Sequence, residues 1–115
     1  MKTEIVHSEK GDLSYFKMDN EIIATSSDFL EVLSNCPTYT IILDKEALNP
    51  DFFDLKTGVA GNFLQKISNY KRRLVVLGNY ENIKSKSLND FIYESNKTGQ
   101  VVFTRSIEEA IRLLK

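Results

Sequence analysis

The spacing of apolar positions changes character along this chain, and each change marks an element. Residues 3–24 hold three short runs, Thr3 to His7, Leu13 to Met18 and Glu21 to Ala24, separated by Glu9-Lys10-Gly11-Asp12 and by Asp19-Asn20. Gly, Asn and Asp tolerate the positive φ of tight turns, so these runs are predicted to be antiparallel strands joined by turns. From Ser26 the period becomes helical: Phe29, Leu30 and Leu33 share one face, and Cys36-Pro37 ends the helix. Tyr39 to Asp44 and Arg73 to Gly78 are continuous apolar runs rich in β-branched residues, as expected of strands covered on both faces. Between them Leu55, Val59, Phe63, Ile67 and Tyr70 recur every three or four residues and predict an amphipathic helix. Leu88, Phe91, Ile92 and Ser95 mark a further helix closed by Gly99, before the strand Val101 to Thr104. Ser106 and Glu109 stand at capping-box spacing before Ile107, Ala110, Ile111 and Leu114, which predicts a terminal helix.

The predicted order is β-β-β-α-β-α-β-α-β-α, an α/β chain with a mixed sheet and helices packed on it. The strands at 39–44, 74–78 and 101–104 are predicted to be parallel neighbours, with Ile42, Val76 and Val102 in the core, because each crossover is long enough to return in the same direction. No linker or repeat interrupts the 115 residues, so a single domain over 1–115 is expected.

Charge and composition narrow the chemistry. Fifteen basic and 16 acidic residues give a net charge of -1, too little field to collect a phosphate backbone or an anionic lipid surface. Neither a nucleic acid nor a membrane is expected as a partner. The basic run Lys71-Arg72-Arg73 sits where a helix should end, and cations there complement the helix dipole. A single cysteine, Cys36, excludes an internal disulfide and is expected to be a small buried hydrophobe. With no signal-peptide pattern at the amino terminus, a cytoplasmic location is expected. With one histidine, His7, and one cysteine, the chain lacks the usual zinc ligand sets. It also has no Gly-x-Ser-x-Gly elbow to supply a hydrolytic nucleophile. No metal and no organic cofactor is expected.

The candidate functional segment is the loop Asn49-Pro50-Asp51-Phe52-Phe53-Asp54 and the Thr57-Gly58 pair that opens the following helix. Asp54 suits a helix cap, Pro50 suits a first helical position, and Gly58 and Gly61 are each costly inside a helix, by about 1 kcal/mol against alanine. Close packing on the sheet or approach of a partner to the helix start would offset that cost. Gly58-x-x-Gly61 lacks the Lys-Ser/Thr continuation of a phosphate-binding loop.

With the strand ending in Asp44, the loop at 49–54, Thr57-Gly58 and the closing Ser106-Ile107-Glu108-Glu109-Ala110, the chain resembles the STAS superfamily, which includes antagonists of bacterial anti-sigma factors. That resemblance implies a regulatory protein-binding module with a protein regulator or kinase-like partner. Thr57 falls on the phospho-acceptor position only with one extra residue after the aspartate, since Asp54-Leu55-Lys56-Thr57-Gly58 stands where those domains carry Asp-Ser-Ser-Gly. More closely, the run 51–61 with Ser68-Asn69-Tyr70 and the segment 85–96 resembles a bacterial family called domain of unknown function 4180, which implies relatives but no activity. The partner-binding or phospho-acceptor candidates are thus Thr57, Asp54, Lys56, Gly58, Phe52 and Phe53, with the two phenylalanines expected to be partly exposed. The alternative is a small enzyme or small-molecule-binding protein that uses Tyr93, Glu94 and Asn96. The sequence leaves a homodimer open.

Overall fold

The computed structural model describes residues 2–115; Met1, the first residue of the expected domain, lies outside the described residues. Two strands, β1 (Lys2–Val6) and β2 (Leu13–Lys17), form an antiparallel hairpin. Then follow α1 (Ser26–Ser34), β3 (Thr40–Asp44), α2 (Val59–Asn69), β4 (Arg73–Leu77), α3 (Lys86–Thr98), β5 (Val101–Thr104) and α4 (Ile107–Leu113). The sheet runs β1-β2-β3-β4-β5 in space, and every pair after the first is parallel. This is the mixed α/β sheet expected from the sequence, and Ile42, Val76 and Val102 are fully buried.

The arrangement of layers follows from alternation. Ile41, Leu43, Leu74, Val76, Val101 and Phe103 point to the face that carries α1, α2 and α3, whose Phe29, Phe63, Ile67 and Ile92 complete that core. Three crossovers of one hand, each to the next strand along, keep their helices on one side. Ile42, Val75, Val102 and Leu13 point the other way and meet Ala110 and Leu114, so among the described residues α4 is the one helix that covers that face. Strands buried on both sides carry no polar alternation, which is why their apolar runs are continuous.

Two expectations need correction. Residues 21–24 form no third strand: Ile22 is 52% exposed, and Ile23 makes only an isolated parallel bridge to Leu48. Its N–H donates to the Ala47 carbonyl (2.7 Å), and its own carbonyl accepts from the Asn49 N–H (3.0 Å). The segment therefore ties the loop after β3 rather than extending the hairpin. Leu55 does not belong to the helix whose face it was placed on, because Gly58 at φ +80° breaks the chain between a short 3-10 turn (Leu55–Thr57) and α2. The basic run at 71–73 follows the end of α2, as expected, and its last member enters the sheet. Arg73 opens β4 at 7% exposure, its Nε donating to Thr40 Oγ1 (2.8 Å), Nη1 to the Lys115 carbonyl (2.6 Å) and Nη2 to the Lys10 carbonyl (2.7 Å). Burying a guanidinium is costly unless its donors are satisfied, and here the chain's own carbonyls do most of that.

Candidate functional site

The carboxyl ends of β3 and β4 release the chain into two loops. After Asp44 it makes a 3-10 turn (Lys45–Ala47), then a second (Pro50–Phe53) capped by the Asn49 side chain, which accepts from the Asp51 N–H (3.0 Å). Proline at the first position of that turn has the φ the turn needs and no N–H to waste. After Leu77 come Gly78, Asn79 and Tyr80. The Tyr80 hydroxyl donates back to the Val76 carbonyl (2.9 Å), which holds its ring over the sheet end. Burial, and after it the charge of Glu46, pushes the Tyr80 phenol above the ordinary tyrosine range.

Lys45 joins the two loops. Its Nζ lies 5.2 Å from the ring centre of Phe53 and 5.2 Å from that of Tyr80, so the ammonium sits against two π faces. A Cβ at Gly78 would lie 2.8 Å from the Lys45 Cβ, so any larger residue there would displace the lysine stem. Phe53 is half-buried and divides two open grooves. One, of about 540 Å³, is lined by Lys45, Glu46, Leu48, Pro50, Phe53 and Asn79. The other, of about 580 Å³, is lined by Phe53, Asp54, Leu55, Lys56, Ser85 and Ser87.

The residues singled out in the sequence fall into three places. Phe52, expected at the surface, is 1% exposed, and its ring centre lies 5.8 Å from that of Phe63 and 6.2 Å from that of Phe103. It is a core residue, fixed by contacts with α2 and β5 that no local pattern encodes. Phe53, Asp54 and Lys56 stand on the rim of the second groove. Asp54 is a cap, accepting from the Lys56 N–H (3.3 Å). Thr57 is exposed, yet its hydroxyl faces the Asp51 and Asp54 carbonyls, each at 2.8 Å, and accepts from the Val59 N–H (3.2 Å). Gly58 supplies the left-handed turn that aims α2 at the sheet and has nothing within 4 Å of the place a Cβ would take.

Tyr93, Glu94 and Asn96 are not brought together. Tyr93 is 66% exposed, Glu94 lines a separate hollow of about 260 Å³ against Leu64 and Thr98, and Asn96 turns inward. Its Oδ1 accepts from the Phe103 N–H (2.7 Å) while Nδ2 donates to the Phe103 carbonyl (3.1 Å), so the side chain occupies the place of a neighbouring strand. Lys45 and Tyr80 had no signal in the periodicity; position alone, just past the ends of two parallel strands, marks them.

Among the described residues no three His, Cys, Asp or Glu side chains stand close enough to hold a metal ion, and no helix is long and apolar enough to cross a membrane. On the α4 face the Tyr15 hydroxyl donates to Asp44 Oδ1 (2.6 Å). Burial, then that bond and the carboxylate charge, pushes the phenol above its ordinary range. Asp44 is thereby engaged on the opposite side of the sheet from the grooves.

Comparison with known proteins finds no curated protein and no solved structure that matches this chain. A family model does match, over residues 9–114, from the β1–β2 turn through the last buried leucine after α4. The chain belongs to the family described as domain of unknown function DUF4180.

Proposed function

We propose that this chain is a regulatory protein-binding module resembling STAS domains, acting in the bacterial cytoplasm, and that its contact surface is the rim around Phe53. One observation carries this. In open α/β sheets ligands enter the crevice where the strand order reverses. From β2 to β5 the order here is sequential and never reverses, so the strand ends carry open grooves on either side of a half-buried aromatic ridge. A ridge between grooves suits an apolar protein segment laid across it better than a small molecule, which needs enclosure on most of its surface. Thr57 follows Lys56 directly and stands beside the second groove, where a kinase-like partner reaches it and where added charge would meet an incoming partner.

The test compares capture of a partner from lysate by the wild type, by the rim variants Lys56→Glu, Ser87→Glu and Thr57→Glu, and by the remote variant Tyr93→Ala. Binding of the purified partner is then measured by calorimetry. Ser87 is exposed in the first turn of α3, where an acid complements the dipole, so the fold is expected to keep that variant. Loss of one and the same partner from the three rim variants, with retention by Tyr93→Ala, is expected. Retention of every partner by all three rim variants would place the contact elsewhere and end the proposal.

A further inference from the structure

The two edges of the sheet are built differently. At β5 the carbonyls of Gln100 and Thr104 accept from Leu74 and Gly78 on the β4 side, so Val101 and Phe103 present their backbone outward. Three of those four groups are occupied: Ser95 Oγ donates to the Val101 carbonyl (2.5 Å), and Asn96 bonds both the N–H and the carbonyl of Phe103. That edge is closed to pairing. At the other edge four of the five residues of β1 are exposed, and among the described residues no side chain takes the place that Ser95 and Asn96 take at β5.

An open edge is usually blunted with charge. The charges on β1 are of another kind, because they alternate in sign. Lys2 and Glu4 share a face, two residues apart, and the hairpin register sets Lys2 directly opposite Lys17. Like charges directly opposite are destabilising. Lys17 leans away to Glu4 (Nζ to Oε2, 2.9 Å), and no acid pairs with Lys2 among the described residues. One copy therefore lacks an acid at the outer edge, in line with Lys2.

We infer that β1 is a self-association edge, and that two copies join antiparallel through it about a two-fold axis at Thr3 to make one continuous sheet. A two-fold axis perpendicular to the sheet pairs only residues of like parity. With the axis at Thr3, Lys2 lies opposite Glu4 of the second copy, and Glu4 opposite its Lys2. The row across the interface becomes Lys17, Lys2, then Glu4 of the second copy, which supplies the missing acid. Moving the axis to Glu4 would set two glutamates face to face, so charge selects the Thr3 register. Among the described residues this register pairs Lys2, Thr3 and Glu4 with Glu4, Thr3 and Lys2 of the second copy, a short seam, so the dimer forms at high concentration and weakens as salt screens its exposed pairs.

Sedimentation velocity over a concentration series tests this with the wild type, Lys2→Glu, Glu4→Lys and an equal mixture of the two variants. Each variant alone faces like charges across the seam, and its association is expected to fall about tenfold or more. The mixture restores both opposite pairs and is expected to form heterodimers. Amide exchange on the wild type gives a second readout that needs no variant: protection of residues 2–4 should rise with protein concentration. A wild type that stays monomeric throughout the series, variants that dimerise as well alone as mixed, or β1 amides indifferent to concentration would each overturn the inference.

Discussion

Asn96 gives the sharpest test of how the edge of the sheet is held. Among the described residues its amide is the only partner of both backbone groups of Phe103 on the outer side of β5, at 2.7 and 3.1 Å. Each such bond contributes about 0.5–1.5 kcal/mol net, and Phe103 is 3% exposed, so Asn96→Ala strands two backbone groups with limited access to water. We expect a loss of about 1–3 kcal/mol, measured by urea denaturation, and a fall of very roughly 5–12 °C in melting temperature. Asn96→Asp separates the two bonds. The carboxylate still accepts from the Phe103 N–H, but its second oxygen faces the Phe103 carbonyl, where a donor is required. Protonation restores that donor, so the folded state raises the new carboxyl above its unfolded value of about 3.9. A group raised in the folded state adds stability as pH falls. The deficit against wild type is therefore full above the folded pKa, shrinks between the folded and unfolded values, and is smallest below about pH 4. If Asn96→Ala costs less than about 0.5 kcal/mol, or the gap between Asn96→Asp and wild type fails to narrow from pH 7 to 4, the side chain is not holding the edge.

Two further outcomes are expected. Ile42→Ala removes a fully buried side chain between the sheet and α4 and should cost about 2–5 kcal/mol in the same assay. A loss below about 1 kcal/mol would mean that α4 does not seal that face. Gly58→Ala meets no neighbour within 4 Å, so it should cost only the left-handed backbone strain, about 1–2 kcal/mol, and circular dichroism should show α2 intact. A neutral result would mean that the turn before α2 does not need its positive φ.

The sheet was legible because burial on both faces leaves a mark on sequence: Ile41-Ile42-Leu43 and Leu74-Val75-Val76 have no polar alternation, and an amphipathic helix separates them. Turn chemistry was legible too, since Gly11 and Asn20 both take positive φ. What followed Asn20 was not. An apolar pair in a short run looks like strand, but only Ile23 faces inward, and its partner Leu48 lies 25 residues along. The site was harder still. Phe52 and Phe53 are neighbours between aspartates and look equivalent in sequence, yet Phe52 enters the core beside Phe63 and Phe103 while Phe53 stays at the rim. The Lys45 stack draws on positions 45, 53 and 80, from three segments. Such an assembly has no period and becomes visible only when the strand ends are placed side by side.

Under the proposed function, phosphorylation of Thr57 would act on the loop without endangering the fold. Its hydroxyl has one proton to share between the Asp51 and Asp54 carbonyls, and it caps Val59 with its lone pair. A phosphate ends the donation to those carbonyls and adds about 1.5–2 negative charges close to Asp54. Against this, the dipole at the start of α2 and the neighbouring Lys56 favour the anion, each by less than about 1 kcal/mol at an exposed site. The terms nearly offset, so what changes is the geometry of residues 51–58 rather than the packing beneath. Phe52, Ala60 and Phe63 are buried in the core behind that loop, and the hydroxyl's hydrogen bonds go to the backbone of 51, 54 and 59. A change confined to the rim of the second groove leaves the sheet as it was and alters what the surface presents. Such separation between a fixed core and an adjustable rim is the physical requirement for a regulated binding surface.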